Sequence, residues 1–283
     1  MLSANTLFHF TKDVNVLSKI LINGFRPSYC KEDFSFLKDN TIFNCYYVPM
    51  VCFCDIPLSQ IKNHSDKFGK YGLGMSIDWT IKNGISPVSY VSAGTSDIYY
   101  ALAGLEGLFL ISSIDKGSSI DPLEQMAAAN VLTGYVYSII RVLGYIKSYK
   151  NIDRASGLIT KYYDEKEWRY LAGFSPFPDR NPHYLRIPDF ATIVKNEMFE
   201  IYDSIYQGLY NLTPIDALNL GRECISDKYL KFELSDLKYI IVRHENDIFG
   251  LRNVLMSNDR FSNTDIEKII SRTITYNQIR DDF

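Results

Sequence analysis

The sequence predicts a single mixed α+β domain across residues 1–283, with two helical insertions. Short apolar runs rich in β-branched and aromatic residues, typical of buried strands, alternate along the chain with segments whose apolar spacing is helical. No internal repeat, low-complexity tract or polar linker divides the 283 residues, so one core is expected rather than two. The composition, 46% hydrophobic and 22% charged, is typical of a globular protein.

The first ninety residues predict alternating strands and helices. "LFHF" is strand-like, and the following "DVNVLSKILINGF" has helical apolar spacing, with Asp13 as a cap and Gly24 as the end. "YYVPMVCFCDIP" is typical of a buried strand and leads into a polar helix, "PLSQIKNHSDKF". "KYGLGMSIDW" predicts a turn and then a strand, and "GISPVSYV" predicts another strand.

The later part of the chain carries the two insertions. Residues 95–158 are rich in alanine and leucine and poor in charge, which indicates two or three inserted helices, and residues 194–226 indicate a second helical insertion. Strand-like composition returns in residues 157–174 and 183–194, and residues 228–246 contain two strand candidates. Short helices follow, and the last of them has Thr264 and Glu267 at capping-box spacing.

Charge, cysteines and hydropathy exclude several classes of protein. A net charge of −3 creates no global field towards nucleic acid or an anionic membrane, although it leaves room for a local basic groove. The five cysteines lack metal-ligand spacing, and the first residues lack a secretion signal, so we expect a cytoplasmic protein without a metal. Residues 126–146 approach the length of a bilayer span, but Arg141 and Asn130 interrupt them and favour a buried helix.

The first candidate site segment is "LFHFT", residues 7–11. On a strand, His9 and Thr11 share one face, and Phe8 and Phe10 share the other. A neutral imidazole donates one hydrogen bond and accepts one, which suits the orientation of a sugar hydroxyl. The alternative is a structural histidine bonded to the backbone.

The second candidate segment is "HSDKFGKYGLG", residues 64–74. Its three glycines allow close approach of the backbone to a ligand, Phe68 and Tyr71 offer aromatic faces, and His64 and Lys67 add polar contacts. The glycine spacing matches neither a P-loop nor a dinucleotide fingerprint. The alternative is a glycine-rich turn between a helix and a strand.

The third candidate segment is "YYDEKEWRYL", residues 162–171. On a strand, Glu165, Glu167 and Arg169 share one face, and the apolar neighbourhood would hold a carboxylate ionised beside the arginine. Such a carboxylate can bind a sugar hydroxyl and stabilise a developing positive charge. The alternative is a solvated charged face.

Several segments together resemble the AbiGi-type abortive-infection proteins of bacteria. They are "LFHFT…LSKILINGFRPSY", "VPMVCFCDIPLSQIKNH", "KYGLGMSIDW…GISPVSYV", "YDEKEWRY" and the closing "TITYNQIRDDF". The resemblance covers nearly the whole chain. It implies a role in phage defence, often as the antitoxin of a two-gene system, and therefore a cognate toxin or antitoxin protein as partner.

A second, more distant resemblance is to the ADP-ribosyltransferase fold. An N-terminal strand with a histidine, then a helix, then "GF-x-P" is similar to the start of that fold. Its members carry an early His or Arg, a middle-strand aromatic or hydroxyl residue and a later Glu. This chain has His9, then residues 71–76, then Glu167, in that order. The resemblance implies an ADP-ribosyltransferase-like mixed β core and NAD as the substrate.

The same resemblance implies a role for each candidate residue. Glu167 would bind the ribose 2′-hydroxyl and stabilise positive charge at C1. His9 and Thr11 would orient the ribose or the nicotinamide amide, and Phe68 or Tyr71 would stack on the ring.

The remaining candidates complete the predicted NAD contacts. Arg169 or Arg26 would pair with the pyrophosphate, and His64 and Ser76 add polar contacts. A protein side chain, a nucleic-acid base or water would accept the ADP-ribose.

Two functions therefore remain open at the level of sequence. One is an NAD-consuming, ADP-ribosyltransferase-like effector in antiphage defence. The other is a non-catalytic antitoxin or interaction module built on the same fold. A nuclease is disfavoured because the carboxylates show no two-metal pattern and no basic stripe is visible.

Overall fold

The computed structural model describes residues 5–33, 45–92, 100, 141–152, 159–172 and 226–282. Strands and helices are numbered within these residues. The strands are β1 Thr6–Thr11, β2 Ser28–Asp33, β3 Cys45–Cys54, β4 Tyr71–Ser76, β5 Ser86–Pro87, β6 Ser89–Val91, β7 Ile146–Ser148, β8 Asn151–Ile152, β9 Ile159–Thr160, β10 Glu167–Leu171, β11 Leu237–Val242 and β12 Thr273–Thr275. The α-helices are α1 Val14–Asn23, α2 Ile61–Phe68, α3 Ile77–Lys82, α4 Glu245–Met256, α5 Asn263–Ser271 and α6 Tyr276–Asp282.

A mixed eight-stranded sheet forms the centre of the described structure. Seven strands follow the order β12-β11-β4-β1-β3-β10-β5, and β2 pairs with β3 beside this path. β11 and β12 are parallel, and the other pairs in the sheet are antiparallel. The prediction of a mixed α+β fold is confirmed.

Helices cover both faces of the sheet. One face packs on α1, α4 and α5 in a large apolar core that contains Leu7 and Leu73. The opposite face packs on α2 and α6 in a smaller core that contains Phe8 and Phe10. Because side chains alternate along a strand, His9 lies on the face opposite the two phenylalanines, as predicted.

The helix α1 has the caps that the sequence predicts. Asp13 Oδ1 accepts a hydrogen bond from the backbone N–H of Asn15 at 2.7 Å, which satisfies one of the free donors at the helix start. The helix ends at Gly24, whose φ of 92° is readily adopted by glycine.

The end of α2 depends on Gly69, which has a φ of 119°. A Cβ atom at this position would lie 2.1 Å from the carbonyl oxygen of Thr11. The absence of a side chain therefore lets the chain turn against the end of β1 and enter β4. The prediction of a turn followed by a strand in residues 70–79 is confirmed, except that α3 already begins at Ile77.

Three predictions of local structure need correction. The capping box of α5 joins Ser262 and Asp265, because the helix begins at Asn263. Residues 146–148 and 151–152, which were predicted as part of a helical insertion, are short strands, and the first pairs with β6. Of the two strand candidates in residues 228–246, the first makes only an isolated bridge at Leu230.

Several predicted elements lie outside the described residues. They are most of the insertion at 95–158, the extended segment at 183–194 and nearly all of the insertion at 194–226. Most of the apolar stretch 126–146 lies there too. Among the residues that are described, no helix has both the length and the apolar character needed to cross a bilayer.

The sheet opens along one edge of β3. β2 pairs with this strand from Cys45 to Met50, whereas β1 pairs with it at Cys54. The edge between Met50 and Cys54 therefore has no strand partner on this side within the described residues. The opening places backbone polar groups of β3 at the base of a cleft.

Candidate functional site

A cavity of about 400 Å³ occupies the opening between β1 and β2. Its volume is within the range of small-molecule pockets. Five of the predicted site residues contribute to its wall: His9, Arg26, His64, Phe68 and Glu167. These residues come from separate elements, so the tertiary structure brings together side chains that lie up to 158 positions apart.

His9 and Glu167 reach the cavity from the two sides of β3. Phe8, the neighbour of His9, and Glu167 both pair with Cys54, but from opposite edges of the strand. The strands that carry His9 and Glu167 are therefore separated by one strand and do not pair directly.

Three predicted NAD contacts lie away from the cavity. Tyr71 directs its hydroxyl to Asp247 Oδ2, at 3.2 Å, on the sheet face covered by α1 and α4. Thr11 pairs with Tyr71 at the far end of β1. Ser76 accepts a hydrogen bond from the backbone of Trp79 at 3.3 Å and caps α3. Strand direction and capping explain these positions, so the contacts predicted for Thr11, Tyr71 and Ser76 need correction.

His9 is held in one orientation by its neighbours. Its Nδ1 lies 2.8 Å from the carbonyl oxygen of Cys52, and because a carbonyl only accepts, Nδ1 carries the proton. The ring packs against Phe25 and Phe53, with ring centroids at 5.2 and 5.8 Å. Burial lowers the pKa of His9, so the ring is neutral and Nε2 is an acceptor.

His64 and Phe68 form an aromatic wall of the cavity. Their ring centroids are 4.4 Å apart, and Phe10 packs against His64 at 5.4 Å. Burial lowers the pKa of His64 to about 4, although the nearby Glu165 favours protonation. The wall is therefore uncharged at neutral pH and suits stacking on a flat ring.

An ion-pair cluster forms the floor of the site. It joins three carboxylates to three cations, and its members are Glu32, Glu165, Glu167, Lys67, Lys147 and Arg169. Lys147 Nζ lies 2.8 Å from Glu165 Oε2 and 2.6 Å from Glu167 Oε2. Lys67 pairs with the other oxygen of Glu165. The cluster places three carboxylates beside cations in surroundings that exclude most water, and burial nevertheless raises the pKa of Glu32.

Arg169 is the member of this cluster that is fully buried. Its Nε donates to Glu167 Oε1 at 2.8 Å, its Nη1 to the carbonyl oxygen of Gly144 at 2.6 Å, and its Nη2 to Glu32 Oε1 at 2.8 Å. These bonds point the guanidinium at protein groups, which corrects the predicted pyrophosphate contact. Arg169 instead positions Glu167, and Arg26 is the predicted phosphate-binding arginine that lines the cavity.

Glu167 is ionised because of these cations. Burial alone would raise its pKa, but Arg169 and Lys147 outweigh burial and lower the pKa to about 2. The backbone N–H of Glu167 also donates to the Tyr90 hydroxyl at 2.8 Å. The carboxylate is thus fixed as well as charged.

The secondary structure that carries Glu165 differs from the predicted strand. Glu165 lies in the 3-10 turn Tyr162–Glu165, and β10 begins two residues later. Lys166 between them has a φ of 46°, which breaks the strand alternation on which the prediction rests. The prediction that Glu165, Glu167 and Arg169 gather is confirmed, but by a turn rather than by one strand face.

Sequence reasoning missed Lys147 and Glu32. Lys147 lies in "YIKSY", where buried Ile146 and Ser148 alternate with the lysine, and this period of two was a usable strand signal. Glu32 lies in "SYCKED", which carries no comparable signal. Its 137-residue separation from Arg169 makes the contact purely tertiary.

The lowered pKa of His64 predicts that the free energy of unfolding falls in mild acid. Between pH 6.5 and about 4 the unfolded chain binds a proton at His64, whereas the folded state does not. The neutral His64 therefore contributes to the free energy of unfolding above pH 6.5, and this contribution is lost as the pH falls towards about 4. On acidification through this range, the free energy of unfolding should fall by about 1 to 2 kcal/mol less in His64→Gln than in the wild type. The figure is reduced for solvent screening because the ring is partly exposed. Urea unfolding at a series of pH values measures this difference.

The matched control is His244→Gln, at an exposed position beside α4. It should follow the wild-type pH profile. Equal pH profiles for the wild type and His64→Gln would contradict the assignment of a neutral, half-buried imidazole to position 64.

Comparison with known proteins gives two matches. A family model described as "Putative abortive phage resistance protein AbiGi, antitoxin" matches residues 23–198, more than half of the chain. The "Abortive phage resistance protein AbiGi" of Lactococcus lactis subsp. cremoris is 27% identical over 279 residues, which cover 92% of this chain and 100% of that protein. No solved structure matches significantly.

Proposed function

We propose that this chain, which belongs to the AbiGi family of abortive phage resistance proteins, acts in phage defence by binding NAD in the cleft beside β3 and cleaving its nicotinamide–ribose bond. The family gives the biological setting. The chemistry rests on the cavity wall and on the ion-pair cluster beneath it.

The ionised carboxylate of Glu167 carries the proposal. Cleavage of the nicotinamide–ribose bond moves the bonding electrons to nicotinamide and leaves positive charge on ribose C1, as in glycoside cleavage. A carboxylate already fixed in place stabilises this charge without reorganisation. With a pKa of about 2, Glu167 needs no activation at neutral pH.

Three other residues of the cavity wall have side chains that suit the ribose, the nicotinamide and the phosphates of NAD. His9 presents Nε2 as an acceptor, which suits an amide N–H or a ribose hydroxyl. Phe68, which packs against His64 with its ring tilted by 33°, offers an apolar face to the nicotinamide ring. Arg26 is exposed at the rim and has no ion-pair partner among the described residues, so its guanidinium is available to a phosphate.

Lys147 opposes the reaction in the unliganded protein. Its ammonium bonds Glu167 Oε2 at 2.6 Å and would repel a cationic ribose. Productive binding therefore requires ribose hydroxyls to replace part of this contact. Lys147 reaches Glu167 from β7 and not from the strand of Glu167, so its withdrawal would leave the carboxylate in place.

Release of nicotinamide from NAD by the purified chain tests the function. We expect wild-type protein to release nicotinamide, measured by chromatography, faster than a control with boiled protein. Because ADP-ribose needs an acceptor, the assay includes a water-only arm and arms with bacterial protein or nucleic acid. Absence of nicotinamide release in every arm, together with absence of NAD binding by calorimetry, would overturn the proposal.

The family description favours a second candidate, a non-catalytic antitoxin that binds a cognate toxin. The saturated ion-pair cluster is compatible with this role, because a purely structural cluster would also occupy every carboxylate. Co-expression with the adjacent gene separates the candidates. An antitoxin suppresses the toxicity of the neighbour and is harmless alone, whereas an NAD-consuming effector is toxic alone.

A further inference from the structure

Two exposed tyrosines form a stacked pair outside the cleft. The rings of Tyr149 and Tyr163 have centroids 5.3 Å apart and an interplanar angle of 29°. They remain 37% and 39% exposed, although large aromatic side chains gain free energy from burial. The backbone N–H of Tyr163 donates to the carbonyl oxygen of Tyr149 at 3.2 Å and fixes the two loops against each other.

Two lysines complete this surface, which we call the tyrosine–lysine platform: Tyr149, Tyr163, Lys161 and Lys166. Lys161 Nζ lies 5.8 and 5.6 Å from the two ring centroids, and Lys166 Nζ lies 3.5 Å above Tyr163. Lys166 has a left-handed backbone, with a φ of 46°, which lysine rarely adopts. Both ammonium groups thus lie against the tyrosine rings.

A groove of about 640 Å³ continues from the platform and is lined by Lys62 and Lys67 as well as by Lys161 and Lys166. Two of its carboxylates are already neutralised. Asp164 pairs with Lys161 at 2.8 Å, and Glu165 is bound by Lys67 and Lys147. Lys62 and Lys166 have no carboxylate partner within the described residues. Asp55 is the third carboxylate of the groove, so its four lysines exceed its carboxylates by one, in a chain whose net charge is −3.

We propose that the platform and its groove bind single-stranded nucleic acid. An unpaired base would stack on Tyr149, and the phosphates that follow would pair with Lys166 and Lys62. Any unpaired base can stack on a tyrosine ring, because stacking does not depend on the identity of the base. The paired bases of a duplex keep their faces inside the helix and cannot stack in this way. Lysine ammonium groups along a groove match the regular negative charge of a backbone.

The groove meets the proposed NAD cleft, since His64, Phe68 and Glu165 line both. A strand held on the platform would present a base towards Glu167. Nucleic acid would then be the acceptor of ADP-ribose: a nucleophilic atom of the base would bond to ribose C1 as the bond from C1 to nicotinamide breaks, nicotinamide would leave with the bonding electrons, and the proton of the attacking group would pass to solvent. This last step rests on the proposed function, whereas binding itself does not require NAD.

Fluorescence anisotropy with labelled 12-nucleotide DNA and RNA, at low salt and without NAD, tests the proposal on the full chain. We expect saturable binding to the wild type and a roughly 5- to 150-fold loss of affinity in Tyr149→Ala. Tyr149→Phe keeps the ring and should bind like the wild type. The double variant Lys62→Gln, Lys166→Gln should bind more weakly and with a smaller salt dependence.

Phe249→Ala is the matched control, because Phe249 is another exposed aromatic residue, on α4. It should bind like the wild type. Absence of oligonucleotide binding overturns the proposal. So does equal binding of a duplex with the same sequence, or equal affinity of Tyr149→Ala and the wild type. Displacement of the oligonucleotide by polyglutamate as efficiently as by unlabelled oligonucleotide would point instead to an acidic protein surface and would also overturn it. Each result is independent of NAD cleavage, so the two proposals can fail separately.

Discussion

Replacement of Arg169 by methionine is expected to lower the free energy of unfolding by about 3 to 5 kcal/mol, because it leaves buried carboxylates without their main partner. Arg169 contacts both Glu167 and Glu32 at 2.8 Å and has no exposed surface. Methionine fills a similar volume but neutralises neither carboxylate. Urea unfolding followed by tryptophan fluorescence measures the loss, since Trp168 is the neighbouring residue.

Arg252→Met is the matched control. Arg252 forms an ion pair with Glu267 at 2.6 Å, but both side chains are exposed. The expected cost is therefore below about 1 kcal/mol. Addition of Glu32→Gln to Arg169→Met should restore part of the lost stability, because it removes one uncompensated charge. A cost below 1 kcal/mol for Arg169→Met would contradict the buried ion-pair cluster.

Replacement of Glu167 by glutamine is expected to slow nicotinamide release by roughly 100- to 1,000-fold, the usual cost of removing one charge-stabilising group from an active site. Glutamine has nearly the same shape and can still contact Arg169 and Lys147. It lacks the negative charge that the developing ribose cation requires. Because the charge acts in the transition state, kcat should fall more than KM changes.

Glu233→Gln tests whether the effect is specific to the site, since Glu233 is an exposed carboxylate outside the cavity. It should retain wild-type activity. The assay temperature must lie below the unfolding transition of Glu167→Gln, because the same substitution weakens the ion-pair cluster. Equal nicotinamide release by the wild type and a folded Glu167→Gln variant would contradict a catalytic role for Glu167.

The local features of the fold could be predicted because their causes are local. Asp13 and Gly24 bound α1 through contacts within a few residues, and the alternation of Phe8, His9 and Phe10 follows from strand geometry. The capping box of α5 was misplaced by two residues because Ser262 and Thr264 are both suitable caps, and only the observed helix start distinguishes them.

The candidate site was predictable only in part. His9, Arg26, His64, Phe68 and Glu167 line one cavity. Thr11, Tyr71 and Ser76 belong to the same segments but turn elsewhere, because strand pairing and helix capping set their directions.

The sequence by itself determined the family, the mixed α+β class and the short-range elements, since apolar period, caps and turns act over a few residues. Only the tertiary structure decided that Glu32 and Lys147 join Glu167 and Arg169. It also decided that β1 and β2 leave an edge of β3 open for a cleft. The physical reason is that strand register and the pairing of buried charges depend on residues far apart in the chain, and no local pattern encodes which partners meet.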